Sequence, residues 1–408
     1  MCTLSHKEPD KIPLDLGSTL NTGIHVSSLY KLRVRLGLAG PIKVLDSFFM
    51  LGEVDQKLRD KIGIDTIPLL PPRDFLGFQR FRLKPWAFFD GTPLLVPEEF
   101  NTIPDEMGDI LQYPLGDKGL KPSAHMPKGG FYHDAIIRQG DLVDLSVEGQ
   151  TEEYTVYTEE ELRYFEKEAE RLFKETPYAI VFDGVPGINL GDVGEIPGVS
   201  LKNPRGIRSI EEWYVSLLRR KDFIKDVFAR MVEVGLKNLK LLYEAVGDRI
   251  QVLVVSAADF GTQKGPLISL DLYRELFKPF HKEVNDWIHR RTRWKTMIHS
   301  CGSVYQFISD FMDAGFDILN PVQISALGME PLRLKKEFGG KIVFWGGGID
   351  TQRTLPFGTP DEVREEVRRL VNIFRVGGGF VFSGIHNIQP NVPIDNLVAL
   401  FEAFSEVR

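Results

Sequence analysis

The sequence predicts an α/β fold, a (β/α)8 TIM barrel with an N-terminal extension and a proline- and glycine-rich excursion around residues 71–140. Three observations predict it. Eight short apolar runs, near residues 14, 67, 180, 253, 296, 318, 343 and 381, precede helical stretches. Strands that alternate with helices pair in parallel through right-handed crossovers. Polar residues gather at the strand ends: Asp183, Asp259, His299, Asn320, Gln323, Asp350 and His386. In a barrel these ends converge on one site, whereas in a doubly wound sheet only strands beside the switch point share a pocket. The excursion lacks the repeated apolar faces of a separate core, so residues 1–408 read as a single domain.

The elements follow in order. Residues 12–17 are apolar and end at Asp15 and Gly17, as a first strand would. Val26 to Leu38 reads as a helix capped at Ser27 or Ser28, and Leu51 to Ile62 as another closed by Gly63. Pro71 and Pro72 cut off the strand of residues 64–70. Within the excursion, Gln79–Leu83 and Asp109–Tyr113 alternate like hairpin strands, and residues 121–132 could form a lid. Thr158 and Glu161 make a capping box for a helix to about Lys174, before the strand Tyr178–Asp183. An irregular loop runs from Val185 to Arg208. Ser209 and Ser269 cap later helices, the second reaching about Arg291. Thr359 and Glu362 repeat the capping box with proline at the first helical position. The strand Gly378–Phe382 and the helix Pro393–Phe404 finish the alternation.

Composition narrows the function. The net charge is −7 and no basic stripe stands out, so nucleic acid is not an expected partner. No apolar run approaches the roughly 20 residues of a membrane span. The two cysteines, Cys2 and Cys301, exclude a disulfide scaffold, and the N-terminus lacks a signal-peptide core. A cytoplasmic enzyme is the default expectation.

The stretch Lys295-Thr-Met-Ile-His-Ser-Cys-Gly-Ser-Val304 carries the chemistry. Residues two apart on a strand point the same way, so His299 and Cys301 can hold one metal ion. His386, after the last strand, would complete a His/Cys/His set with one position open, as in catalytic zinc sites. The plain alternatives are a buried apolar Cys301 and a His386 bonded to the rim. Asp259 fits a fourth ligand, a general base or a partner that orients a histidine, and equally a turn cap. Asp183, Asn320, Gln323, Asp350 and a wall residue, Trp345, are the candidates for binding substrate. Neither a phosphate loop nor a dinucleotide fingerprint is present.

Several segments resemble the uroporphyrinogen decarboxylase superfamily, a (β/α)8 family: residues 6–17, Ile298-His-Ser-Cys-Gly-Ser303, Gly346-Gly-Gly-Ile-Asp350 with Leu355-Pro-Phe-Gly-Thr-Pro360, and His386-Asn-Ile-Gln-Pro-Asn-Val-Pro-Ile-Asp-Asn396. Decarboxylases of the family hold propionates with an N-terminal arginine motif. The matching stretch here, residues 13–23, has no arginine. Its zinc-dependent, corrinoid-linked methyltransferases carry a His-x-Cys that His299-Ser-Cys301 matches. Their third ligand is a cysteine, where this chain has His386.

The resemblance implies a methyltransferase, of the O-demethylase or methylcobamide type, that moves methyl between a small methylated compound, such as a methoxylated aromatic, and a corrinoid. The corrinoid (cobalamin) would be carried by a partner protein. Zinc on His299, Cys301 and His386 would act as Lewis acid, with Asp259, His299 and His386 as the catalytic set. A homodimer is compatible with this reading. The alternatives are a decarboxylase of carboxylated tetrapyrroles and a non-catalytic tetrapyrrole or corrinoid binder.

Overall fold

A ring of parallel strands organises the chain. The computed structural model describes residues 1–143 and 145–408. Seven strands lie side by side in sequence order: Thr66–Leu69, Ala179–Phe182, Val252–Ser256, Lys295–His299, Ile318–Asn320, Val343–Trp345 and Phe380–Val381. Every pairing is parallel. The expected first strand is reduced to a narrow stave. Leu14 bridges Phe382, with hydrogen bonds from Asp15 N to Phe382 O and from Phe382 N to Pro13 O, both 2.9 Å. On the other side Asp65 N donates to Leu14 O at 2.9 Å. Residues 13–15 thereby stand between the last strand and the first, and the ring closes as an eight-stave barrel.

Register decides which side chains look inward. Met297 pairs with Ile318, Ile298 with Leu319 and His299 with Asn320, and Ile318 pairs with Val343. Val181, Val252, Val254, Met297, Ile318, Val343 and Val381 form one buried cluster that fills the barrel. The side-chain period of two then turns Asp183, Ser256, His299, Asn320 and Trp345 inward one layer higher. Leu4, from a short 3-10 helix Thr3–Ser5, joins the same apolar filling.

Helices cover the outside, and both capping boxes form as the sequence predicts, at Thr158–Glu161 and Thr359–Glu362. Three boundaries differ. The helix Val26–Arg35 is capped by His25, whose Nδ1 accepts from Ser27 N at 3.2 Å, so the serines lie inside the helix. The next helix is only Gln56–Ile62, capped by Asp55. Leu51–Gly52 instead pairs antiparallel with the strand Ile42–Asp46, which the sequence reading missed. The long helix after Ser269 breaks at Phe277 into Leu270–Leu276 and Lys278–Arg291, because Pro279 cannot supply an interior N–H.

The excursion builds two small sheets. Leu83–Ala87 pairs antiparallel with Pro93–Pro97, which runs parallel to Ile42–Asp46. Ile110–Gln112, Ala124–Met126 and Asp134–Ala135 make the other. Phe78, Phe100, Ile110 and Met126 are buried in the same core cluster as the barrel helices. Among the described residues, no helix is long and apolar enough to cross a membrane.

Trp345 tests the layer arrangement. It is buried in the barrel, and its Nε1 donates to Asp15 Oδ2 at 2.8 Å. Trp345→Phe removes that donor and leaves a buried carboxylate oxygen under-satisfied. The expected loss is about 1–3 kcal/mol in urea denaturation; a change within about 0.5 kcal/mol would contradict the inward placement.

Candidate metal centre and adjoining chamber

His299 ends its strand and is 4% exposed. Its register partner fixes its chemistry. Asn320 Nδ2 donates to Trp345 O at 2.9 Å, so Asn320 Oδ1 faces His299 Nδ1, 2.6 Å away. A carbonyl oxygen can only accept, so Nδ1 carries the proton and Nε2 keeps a bare lone pair. That lone pair lies 3.4 Å from Cys301 Sγ.

The turn after the strand holds Cys301 there. Cys301 N donates to Asp259 Oδ1 at 2.7 Å, and Gly302 N to Gln323 Oε1 at 2.6 Å. Gly302 has φ +87°, and a Cβ on it would lie 2.3 Å from the carbonyl carbon of Gly261. A residue with a side chain fits neither the dihedral nor the space.

His386 arrives from the loop after the last strand. Its ring stands edge-on to His299 with centroids 5.5 Å apart. One donor atom from each of His299, Cys301 and His386 lies within 4.8 Å of the other two. Nitrogen and sulfur on one tetrahedral zinc would be about 3.6 Å apart. The His299–Cys301 pair, at 3.4 Å, is close to that spacing. Burial lowers the pKa of both histidines to about 4. Both are therefore neutral at pH 7, as ligands must be. Burial, then the adjacent Asp259, pushes the Cys301 thiol well up. A mixed nitrogen–sulfur set suits zinc and disfavours the hard cations magnesium and calcium.

A chamber of about 360 Å³ opens beside the two imidazoles. Asp183, Asp259, His299 and His386 line it, as the sequence reading expects for the strand ends. The other substrate-binding candidates are placed differently. Asn320 and Trp345 lie buried inside the barrel, linked to His299 through the Asn320 side chain. Gln323 secures Gly302. Asp350 accepts from Gln352 N and Arg353 N and shapes its own turn. None of these four lines the chamber. Residues 121–132 also stand away from it and contribute the strand Ala124–Met126.

Residues the sequence reading did not single out complete the walls. Arg73 and Arg80 come from the excursion, and Asn189, Asp192 and Glu195 from the loop of residues 185–208. Asn189 Nδ2 donates to both Asp192 and Glu195, at 3.0 and 2.9 Å. Tyr154 donates to Glu195 at 3.1 Å. Burial raises the pKa of both acids. Burial, then the charge of Asp192, raises Asp183 to about 7. A second chamber of about 400 Å³ lies behind Asp183, Asn189 and Glu195.

Two comparisons with known proteins bear on the chain. Residues 203–407 match the family model of uroporphyrinogen decarboxylase (URO-D). The solved structure of a methyltransferase from Methanosarcina mazei has a similar fold, with a TM-score of 0.53. It is 15% identical and aligns over 99% of this chain and 96% of its own. No curated protein matches the sequence.

Asp183 gives a pH signature. Unfolded, it ionises at about pH 4, and folded at about pH 7. Between those values the folded chain keeps a proton the unfolded chain has lost, so stability falls as pH rises through the window. Asp183→Asn should remove this contribution. Relative to wild type, the variant should be more stable at pH 8 than at pH 5, by on the order of 2 kcal/mol. Parallel pH dependences in calorimetry would contradict it.

Proposed function

The chain belongs to the uroporphyrinogen decarboxylase family, and from that premise we propose that it is a zinc-dependent methyltransferase. It moves a methyl group between a small methylated compound, such as a methoxylated aromatic, and a corrinoid carried by a partner protein. The observation that carries this reading is the convergence of His299, Cys301 and His386, two of which, His299 and His386, line the chamber. An acid–arginine pocket alone would need no thiol placed 3.4 Å from a bare imidazole nitrogen. The M. mazei methyltransferase supports it through likeness of fold.

When bound, zinc supplies a Lewis acid for the oxygen or sulfur that loses or gains methyl. The protein's own groups do the rest. Asn320 holds the His299 ring and its tautomer, as partners behind metal-binding histidines do. Asp259 anchors Cys301 through its backbone N–H, a positioning role beside the catalytic one expected for it. Asp183, about half protonated near neutrality, holds a proton at the chamber wall for the demethylated oxygen. Leu20, Leu45, Phe49, Leu69 and Phe75 give the chamber apolar walls and exclude water.

A decarboxylase is the second reading. It is favoured by the family itself and by the two arginines on the chamber wall. Metal-free protein that turns over uroporphyrinogen would establish it.

Elemental analysis decides between them. Purified protein should carry about one zinc per chain, and His299→Ala and Cys301→Ala should carry almost none. Unchanged zinc in either variant would sink the proposal. Asn320→Leu should keep the fold and weaken zinc affinity about 10–100-fold in competition with a chromophoric chelator. Zinc binding should also release about one proton per chain, from Cys301, read by calorimetry in buffers of different ionisation enthalpy.

A further inference from the structure

At the opposite end of the barrel from the metal centre, one lysine is held over an open hollow. The helix Pro331–Phe338 ends at Gly339, and a glycine-rich turn, residues 375–379, precedes the last strand. Between them lies a hollow of about 360 Å³, walled by Leu332, Lys335, Lys336, Gly340, Ile373 and Val376. An added Cβ at Gly340 or Gly377 would meet nothing within 4 Å, so the glycine side is open. The Lys335 stem lies on Gly339, where a Cβ would come within 2.5 Å of Lys335 Cδ. Its Nζ donates to Gly378 O at 2.7 Å. The acids around it have other partners. Glu337, on the same helix, binds Arg333 and Tyr305. Glu8 accepts from Gly377 N at 2.9 Å. Among the described residues, Lys335 and Lys336 make no ion pair within 4 Å, whereas Arg333 on the same helix does.

We infer that Lys335 is an acylation site, with small acyl phosphates as the acyl donors. The Nζ lone pair attacks the acyl carbon, and an N–C bond forms. The bond from that carbon to the phosphate oxygen breaks, inorganic phosphate leaves, and the amine proton passes to water. Only the neutral amine has that lone pair. Burial, partly offset by the charge of Glu8, lowers the pKa of Lys335 to about 8 and so supplies it near neutrality. The acyl chain rests on the apolar side of the hollow, at Leu332, Ile373 and Val376. The ammonium of Lys336, on the same hollow, offsets the charge of the departing phosphate. The acylated nitrogen keeps one N–H for Gly378 O, so modification sacrifices no hydrogen bond. It removes one positive charge from the helix's last turn, where cations favour the dipole. The hollow lies outside the N-terminal ends of strands Val343–Trp345 and Phe380–Val381, so the inference goes beyond methyl transfer and does not depend on it.

The test is reaction of the full chain with acetyl phosphate near neutral pH. Lys335 and Lys336 stay on one peptide after cleavage at glutamate, and fragment-ion mass spectrometry reads each separately. Lys335 should be acetylated about tenfold or more faster than Lys336. Its rate should level off above about pH 8. In the urea-unfolded chain the lead should vanish, and the Lys335 rate should keep rising toward about pH 10, as an ordinary lysine's does. Val376 is 62% exposed on the rim of the hollow. Val376→Glu places a carboxylate there, which favours the protonated amine, and should slow acetylation of Lys335 several-fold without unfolding the chain. Equal rates at the two lysines, a lead that survives unfolding, or a Lys335 rate untouched by Val376→Glu overturns the inference.

Discussion

The candidate centre depends on one backbone crossing. The loop after strand Val252–Ser256 passes directly over the turn that carries Cys301, and the two meet at Gly261 and Gly302. Only glycine on both sides permits that approach. Around it, Ser303 N donates to Thr262 O at 2.8 Å and Phe260 N to Ser300 Oγ at 2.9 Å. Asp259 takes the Cys301 N–H from the same loop. The crossing therefore brings an acid and a thiol from different barrel units to fixed positions. The price of that placement is a turn with φ +87° that tolerates no side chain.

Below the crossing a chain of hydrogen bonds descends through the barrel. His299 donates to Asn320, Asn320 to the Trp345 carbonyl, and the Trp345 indole to Asp15. Asp15 also accepts from Thr66 Oγ1 at 2.7 Å. Every link is buried, and every member has a partner, the condition under which a polar network stiffens a core. The imidazole is thus held in one tautomer by a path that reaches the closing stave.

The sequence exposed the fold where a regular period governs the backbone. Buried strands read as short apolar runs, and the Thr158 and Thr359 capping boxes mark helix starts through local chemistry. The same period of two carries the inward phase from Val181 to Asp183 and from Met297 to His299, so the strand-end donors were legible. Trp345 shares that phase, yet its strand-end position suggested a chamber wall. Its indole packs into the apolar filling of the barrel and does not reach the chamber. Asn189, Asp192, Glu195, Arg73 and Arg80 were not legible, because they sit on loops without a period. Their convergence depends on how the excursion and the loop of residues 185–208 fold back over the ring. Leu51–Gly52 was misread as helix because its pairing partner, Ile42–Asp46, is set by tertiary contact.

The narrow stave at residues 13–15 affects the order of assembly. It hydrogen-bonds the last strand on one side and the first on the other. Arg408 adds to that seam through Ile12 O and Gly63 O. The seam joins Leu14 to Phe382, so it forms only after the last strand has been made, at the high entropic cost of long-range closure. His299 and Cys301 leave the ribosome well before His386, and until the seam closes they form an incomplete pair. A metal ion captured at that stage would be held by two donors and readily lost. In the zinc enzyme proposed above, retention of the ion would therefore mark a closed barrel.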